Sequence, residues 1–411
     1  MVEAADGLMR ILHTSDWHLG RKLKEHDRSE EFRKFFEWLE NVIVRENPDA
    51  LIVSGDVFNN TNPSIEAQEM YYSFLGKIAG KSCRNIVIIA GNHDSAPFID
   101  APAEIMRRCN IHVIGRACEN EIITLNDSHG TPGMVVCAVP FLHDGDVRAV
   151  RAEDTFAEIE REIKAGIMRH YAGIFERACE IRGEAEIPII ATGHLFLEAG
   201  KTQTGEEKHA TYLGTAIKVG TDIFPQDIAY VALGHLHSPQ KVGRDNIRYS
   251  GSPIAMTFGE CETQKSVSIV DFDGRNFAGV KEFPVPVWQK MARVSGDMAG
   301  IERRLRELSG LNESVWAEVA YTGREPPGNL QERIDEILES CPNVEVLSFR
   351  NEAEFTGTGN NDKTEASITI DDMNPRKMLE LYFSENDIPQ RKREIFIPLY
   401  TEILREMGLN Y

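Results

Sequence analysis

Seven polar side chains in this sequence share one kind of position. Asp16 and His18 lie in "HTSDWHLG", Asp56 in "SGDVF" and Asn92 in "GNHD". His194 lies in "TGHL", and His235 and His237 in "LGHLH". Each group follows a short apolar run: "RILH" (10–13), "ALIV" (50–53), "IVIIA" (86–90), "IPIIAT" (187–192) and "IAYVAL" (228–233). A single histidine in such a place is ordinarily a satisfied core or turn residue. "GNHD" alone reads equally well as a turn, since Gly and Asn are turn formers and Asp can cap the helix that follows. Five separate runs that end this way form a set, and a set calls for a ligand. Carboxylate and amide oxygens mixed with imidazole nitrogens, and no thiolate, suit Mn²⁺, Fe²⁺ or Zn²⁺ rather than a structural zinc. Seven donors are too many for one ion. Two ions that share a carboxylate, roughly 3.5–4 Å apart, fit the count, and that is the usual arrangement for cleaving phosphoesters.

The elements that must carry these side chains read as an α/β protein. The five runs are compact and rich in Ile, Val and Leu, as expected of central strands buried on both faces. Helical patterns lie between them, at 29–46, 64–80 and 155–182. In such folds ligands bind beyond the carboxyl ends of the strands, which is where the seven residues fall. Glycines at 55, 91, 193 and 234 permit close backbone approach there. Segments near 246–250 and 266–272 read as antiparallel strands, with Asp273-Gly274 as a hairpin turn. The prolines of "KEFPVPVWQK" (281–290) break this rhythm. A small α+β unit follows: strand 290–295, helix 298–309, strand 314–321, helix 328–340 and strand 343–349. Residues 351–367 lose apolar periodicity and read as a linker, and two helices are expected at 374–385 and 389–408. The expected division is therefore 1–283, 284–350, 351–371 and 372–411.

With 411 residues the chain is too long for one ordinary core. Lys and Arg number 45 against 65 Asp and Glu, a formal charge of −20. An acidic chain does not adhere passively to nucleic acid, so metal ions, a local basic strip or a partner would have to offset this field. The seven cysteines are scattered and form no C-x-x-C, which fits a reducing cytoplasm and argues against a disulfide framework. No signal-peptide pattern opens the sequence, and no apolar run approaches the length of a membrane span.

The series D-x-H, G-D, G-N-H-D, G-H and G-H-x-H is similar to the signature of calcineurin-like metallophosphoesterases. The surrounding words "LHTSDWHLG", "GDVFNNTNPS", "IAGNHDS", "ALGHLHSPQ" and "YSGSPIAMTFGE" resemble the SbcD family, the nuclease subunits of bacterial SbcCD complexes. The resemblance is dense to about residue 280 and beyond that rests on the order and size of elements. It implies a layered α/β sandwich with a small α+β capping domain and C-terminal helices. It implies a Mn²⁺-dependent 3′→5′ exonuclease and endonuclease of double-stranded DNA ends and hairpins, ATP-dependent with an SbcC-like SMC-type ATPase, in DNA repair and recombination. Asp16, His18, Asp56 and His237 would hold one ion, and Asp56, Asn92, His194 and His235 the other. His93 would face the scissile phosphate, with Asp94 orienting it. One departure stands out: many wider relatives carry a second histidine three residues after the bridging Asp, where this chain has Asn59, a residue able to hydrogen-bond a phosphate.

Other residues carry plainer readings. His143 and His170 are expected at the surface or in packing, and Trp17 on the pocket wall rather than stacked on a base. Met70, Tyr71, Phe74 and Leu75 (in 64–80) with Phe98, Ile105 and Met106 (in 97–109) are stripes that core packing explains; in the SbcD family helices at this place form a four-helix homodimer contact. In the tail, Ile395, Phe396, Leu399, Tyr400, Ile403 and Leu404 form an apolar stripe. It could fold back on the first domain, or dock a partner helix; the resemblance implies the base of the ATPase coiled coil. A phosphatase on the same metal site, or a scaffold with a dead site, are the competing functions. The extra small domain weighs against the first and the complete donor set against the second.

Overall fold

The computed structural model describes residues 8–148, 156–198, 200–201, 217–323 and 330–352, together with residue 383. The expected linker beyond residue 352 and the tail stripe Ile395, Phe396, Leu399, Tyr400, Ile403 and Leu404 lie outside the described residues.

The described strands begin with β1 (Leu8–Thr14), β2 (Ala50–Ser54), β3 (Asn85–Ile89), β4 (Ile111–Ile114), β5 (Ile122–Asn126) and β6 (Pro132–Cys137). Next come β7 (Ile189–His194), the short pair β8 (Phe196–Leu197) and β9 (Lys218–Val219), β10 (Tyr230–Gly234), β11 (Gln240–Val242) and β12 (Arg244–Tyr249). The last are β13 (Ser266–Asp273), β14 (Asn276–Pro284), β15 (Lys290–Gly296), β16 (Val315–Tyr321) and β17 (Val344–Asn351). They build two six-stranded sheets, in the orders β14-β13-β1-β2-β3-β4 and β11-β12-β10-β7-β6-β5. β1 to β4 are mutually parallel, as are β6, β7, β10 and β12.

The apolar runs are continuous because each strand is covered on both faces. Ile11, Ile52, Val87 and Ile89 turn toward Val136, Ile190 and Ala232 of the other sheet. Leu12, Leu51, Val53, Ile86 and Ile88 turn outward under the helices Ser29–Glu46 and Ile65–Ile78. The first of these helices presents Phe32, Phe35, Phe36, Leu39, Val42 and Ile43 as one buried stripe. The long helix Phe156–Arg182 covers the second sheet with Ile163, Ile167, Tyr171 and Ile174. The result is a four-layer α/β/β/α sandwich.

Three expectations are corrected. β12 is antiparallel only to β11; against β10 it runs parallel, because β11 is an outer hairpin arm that returns the chain along the sheet edge. The helix expected at 97–109 is two short ones, Ala96–Asp100 and Ala103–Arg107, interrupted at Pro102, which has no N–H to continue the ladder. Trp17 is fully buried among Phe35, Phe36 and Phe74, its indole donating to Thr14 Oγ1, so it is core and not pocket wall. β13 and β14 do form the hairpin turned at Asp273-Gly274, with φ +56° at Gly274.

β15, β16 and β17 form a separate parallel sheet backed by the helices Met298–Ser309 and Leu330–Glu339, with its own core around Ile301, Leu305, Val319 and Ile334. It meets the sandwich through a small cluster in which Leu23, Phe258 and Met291 pack with Trp316 and Leu347. His26 Nε2 adds a contact to Glu345 Oε1 at 3.3 Å. The segment leading away from His18 is thus held from both sides.

Candidate metal centre

All seven expected donors converge where the carboxyl ends of β1, β2, β3, β7 and β10 meet. Past β1, β2 and β10 the chain turns sharply, and four of the donors adopt positive φ: Asp16 (52°), His18 (47°), Asp56 (49°) and His235 (101°). Such conformations cost L-residues on the order of 1–3 kcal/mol each and persist only where the surroundings enforce them. Here the backbone enforces them. The N–H groups of Asp16, His18 and Leu19 donate to the carbonyls of Gly55, Asp56 and Val57, locking the first two turns together. A Cβ on Gly91 would overlap Asp56, and one on Gly234 would overlap the Ser54 carbonyl, so both positions require glycine.

The donor atoms fall into two groups. In one, His18 Nε2 lies 3.1 Å from His237 Nε2, with Asp16 in the same cluster. In the other, Asn92 Oδ1 lies 3.0 Å from His194 Nε2 and 3.1 Å from His235 Nδ1. Asp56 stands between them, its Oδ2 3.5 Å from His18 Nε2 and 3.4 Å from His194 Nε2. Lone-pair atoms turned toward one another at these distances fit a pair of cations better than they fit one another.

Each donor is aimed by a further contact. His194 Nδ1 donates to the Ser54 carbonyl at 2.9 Å, which leaves Nε2 as the free lone pair. The His235 N–H donates to Asp16 Oδ1 at 2.9 Å, and Ser15 Oγ donates to Asp16 Oδ2. Burial works to raise the Asp56 carboxyl, but the imidazoles of His194, His93 and His18 outweigh it and hold it well below the usual carboxylate range. Burial also opposes charge on His194, yet Asp56 and Asp16 push it up to about 9. His235, buried and crowded by His194, is pushed down to about 3.

His93 is half-buried beside this group, its ring 5.0 Å from that of His18. Its main-chain N–H donates to Asp56 Oδ1 at 2.9 Å. Its ring partner is not Asp94, which corrects that expectation: Nδ1 faces the carbonyl of Asn59 at 3.2 Å. Asp94 instead accepts from the main-chain N–H groups of Gly91, Val57 and Phe58 at 2.9–3.0 Å and ties the β2 and β3 turns together. Burial and the nearby Asp56 push its carboxyl up to about 7 against the pull of those N–H groups. The Asn59 side chain accepts from Arg21 Nη1 at 3.3 Å. His170 pairs with buried Glu121 at 2.8 Å, and His143 packs edge-on to Phe141; neither is among the donors.

Sequence reasoning missed Glu260. It is fully buried, and its Oε1 accepts from His237 Nδ1 at 3.1 Å. Its other oxygen meets Lys265 Nζ at 2.6 Å, and that ammonium also donates to the His237 carbonyl and Ser252 Oγ. The only signal was its place in "YSGSPIAMTFGE". Glu260 holds Nδ1 of His237 and so turns Nε2 toward His18, and such partners are worth about 10- to 100-fold in metal affinity. Glu260→Gln is expected to weaken Mn²⁺ binding by that factor in a calorimetric titration. Glu260→Ala would also leave Lys265 unpaired and cost about 3–5 kcal/mol of stability, read as a lowered melting temperature.

Residues 9–239 match a family model described as calcineurin-like phosphoesterase, and residues 287–387 one described as the type 5 capsule protein repressor C-terminal domain. The SbcD component of the SbcCD nuclease of Escherichia coli (strain K12) is 36% identical over 351 residues, covering 84% of this chain and 86% of that one. The protein of the same name from Rhodobacter capsulatus is 32% identical, covering 81% and 85%. That of Bacillus subtilis (strain 168) is 34% identical, covering 70% of each.

Proposed function

Because the chain belongs to the SbcD family of calcineurin-like phosphoesterases, we propose that it is the nuclease component of an SbcCD-type complex, hydrolysing DNA phosphodiesters at double-stranded ends and hairpins. The observation that carries this reading is the position of Asp56, one oxygen of which lies within 3.5 Å of imidazoles from both donor groups. Asp16, His18, Asp56 and His237 would hold one divalent ion, and Asp56, Asn92, His194 and His235 the other. Oxygen and imidazole donors suit Mn²⁺. When bound, such a pair supplies Lewis-acid activation of water and of the phosphoryl oxygens.

The chain's own residues do the rest. With Nδ1 turned to the Asn59 carbonyl, His93 keeps Nε2 to meet a phosphoryl oxygen and to return a proton to the leaving 3′ oxygen. Asn59 supports that ring through its carbonyl and keeps its amide nitrogen for a phosphate oxygen. Asp94 sets the spacing of the turns that carry Asp56 and His93.

The partner is an SbcC-like SMC-type ATPase, docked by the tail stripe Ile395 to Leu404, with ATP-dependent cutting as the consequence. The unit at 284–350 caps the site and shapes a channel for duplex DNA. A homodimer through the helix Ile65–Ile78 is part of the same reading; Ile65 and Ile105 stand exposed nearby. No described helix is long and apolar enough to cross a membrane, and a cytoplasmic location completes the proposal.

One experiment tests the core of it. Full-length chain and a form truncated after residue 371 are offered linear duplex DNA and p-nitrophenyl phosphate in Mn²⁺. Both forms are expected to degrade the duplex from its 3′ ends, and only the full chain to co-purify with the ATPase. Hydrolysis of p-nitrophenyl phosphate with intact duplex would instead identify a phosphatase. A truncated chain that still binds the ATPase would remove the tail as its main dock.

A further inference from the structure

Among the described residues around the centre, the buried cations Arg28 and Lys265 are paired, and half-buried Arg21 stands apart. Arg28 forms a two-pronged pair with Glu31, and Lys265 pairs with Glu260. Arg21 has no carboxylate within 4.0 Å among the described residues. Its Nη1 contacts a neutral amide oxygen, Asn59 Oδ1 at 3.3 Å, and its Nε is buried without a hydrogen-bond partner. Nearby Glu260 is already engaged by Lys265 and His237. Burial of this guanidinium costs solvation, which among the described residues only the shared Glu260 charge and the Asn59 amide offset.

Its location says what else would offset it. Arg21 sits in the turn that follows His18, its N–H donating to the His18 carbonyl at 2.9 Å. Asn59 joins the guanidinium directly to His93: the side chain takes Arg21, and the carbonyl takes the His93 ring. The guanidinium therefore flanks the face of the centre where His93 stands. The turn is backed by Leu23, packed against the small unit, and by the His26–Glu345 contact. A planar cation with unused N–H groups beside a phosphoester site matches the oxygens of a phosphate, which it can hold with two parallel hydrogen bonds.

We propose that Arg21 is a further catalytic residue, one that grips the non-bridging oxygens of the substrate phosphodiester beside His93; this deepens the nuclease reading and rests on it. The grip serves the transition state, in which charge accumulates on those oxygens, more than the ground state. It also lets an acidic chain bring a polyanion to its centre.

The test compares wild type with Arg21→Gln and Arg21→Lys, each loaded with Mn²⁺. Three quantities are measured: Mn²⁺ affinity, inorganic phosphate affinity by calorimetry, and kcat and KM on the p-nitrophenyl ester of thymidine 5′-monophosphate. Arg21→Gln is expected to keep Mn²⁺ affinity within about twofold. It should lose phosphate affinity and kcat/KM by about 10- to 100-fold, the weight of hydrogen bonds to a charged group, mostly through kcat. Arg21→Lys should recover phosphate affinity in part, as a point charge without the fork. Unchanged phosphate affinity in Arg21→Gln, or parallel loss of Mn²⁺ and phosphate in both variants, overturns the proposal. A wild type that fails to bind phosphate overturns it as well. Should wild type leave duplex DNA intact, the nuclease reading fails, while the phosphate comparison still decides Arg21.

Discussion

Asp56→Ala is expected to empty both halves of the centre at once. A single oxygen of this carboxylate lies 3.5 Å from His18 and 3.4 Å from His194, residues from the two separate donor groups. Its other oxygen receives the main-chain N–H of His93. Removing it would therefore take the proposed shared ligand, the negative charge that would offset two cations, and the anchor of His93, the residue proposed to face the substrate. Metal content after gel filtration should fall from two ions per chain to less than one. Duplex cleavage should drop by about 10⁴-fold or more, since electrostatic and acid–base contributions are lost together. Asp56→Asn keeps an oxygen for the His93 N–H but halves the argument for two ions, and should fall between. A protein lacking Asp56 that retained two ions would show that the groups are independent sites.

His93→Ala is the complementary case, with activity lost and metal kept. The His93 ring borders the donor cluster, close enough to His18 and Asp56 that distance alone does not separate a ligand from a neighbour. Its Nδ1 is turned to a main-chain carbonyl, as that of His194 is, so Nε2 faces the centre in either role and the metal content of the variant decides between them. Deleting the ring should leave two ions bound and lower kcat by about 10²- to 10⁴-fold, the usual weight of a positioned acid or base. KM for duplex DNA should change little. Loss of an ion in the variant would assign His93 to the metal and require another residue for the leaving group.

The donor set was legible because its signal is local. Each member lies within a few residues of a buried strand's end, and "ALIV" or "IVIIA" can hardly be anything but a strand covered on both faces. The helix Ser29–Glu46 was equally plain, its stripe uninterrupted and its end marked by Asn47 at φ 46°. β4 to β6 were not read, although "MVVCAV" is apolar, because β5 alternates with polar residues and β6 begins at a proline. Roles set by convergence were out of reach. Nothing in the sequence joins Glu260 to His237 and Lys265, or turns Asp94 toward the N–H groups of Val57 and Phe58 rather than toward His93. Trp17 stands between two donors in sequence and points into the core in space.

The centre is also a seam. Asp16, His18, Asp56 and Asn92 leave from one six-stranded sheet, while His194, His235 and His237 leave from the other. Each proposed ion thus draws ligands from both sheets, so a loaded pair acts as a cross-link that joins residues about 220 positions apart, the kind of long loop whose closure gains only slowly with length. Ions that bind only the assembled sandwich shift folding by mass action, and they do so at the edge where the strained turns store their cost. Chelation would then loosen two halves of a sandwich rather than merely vacate a pocket, and metal supply becomes a determinant of how long this protein survives as well as of how fast it cuts.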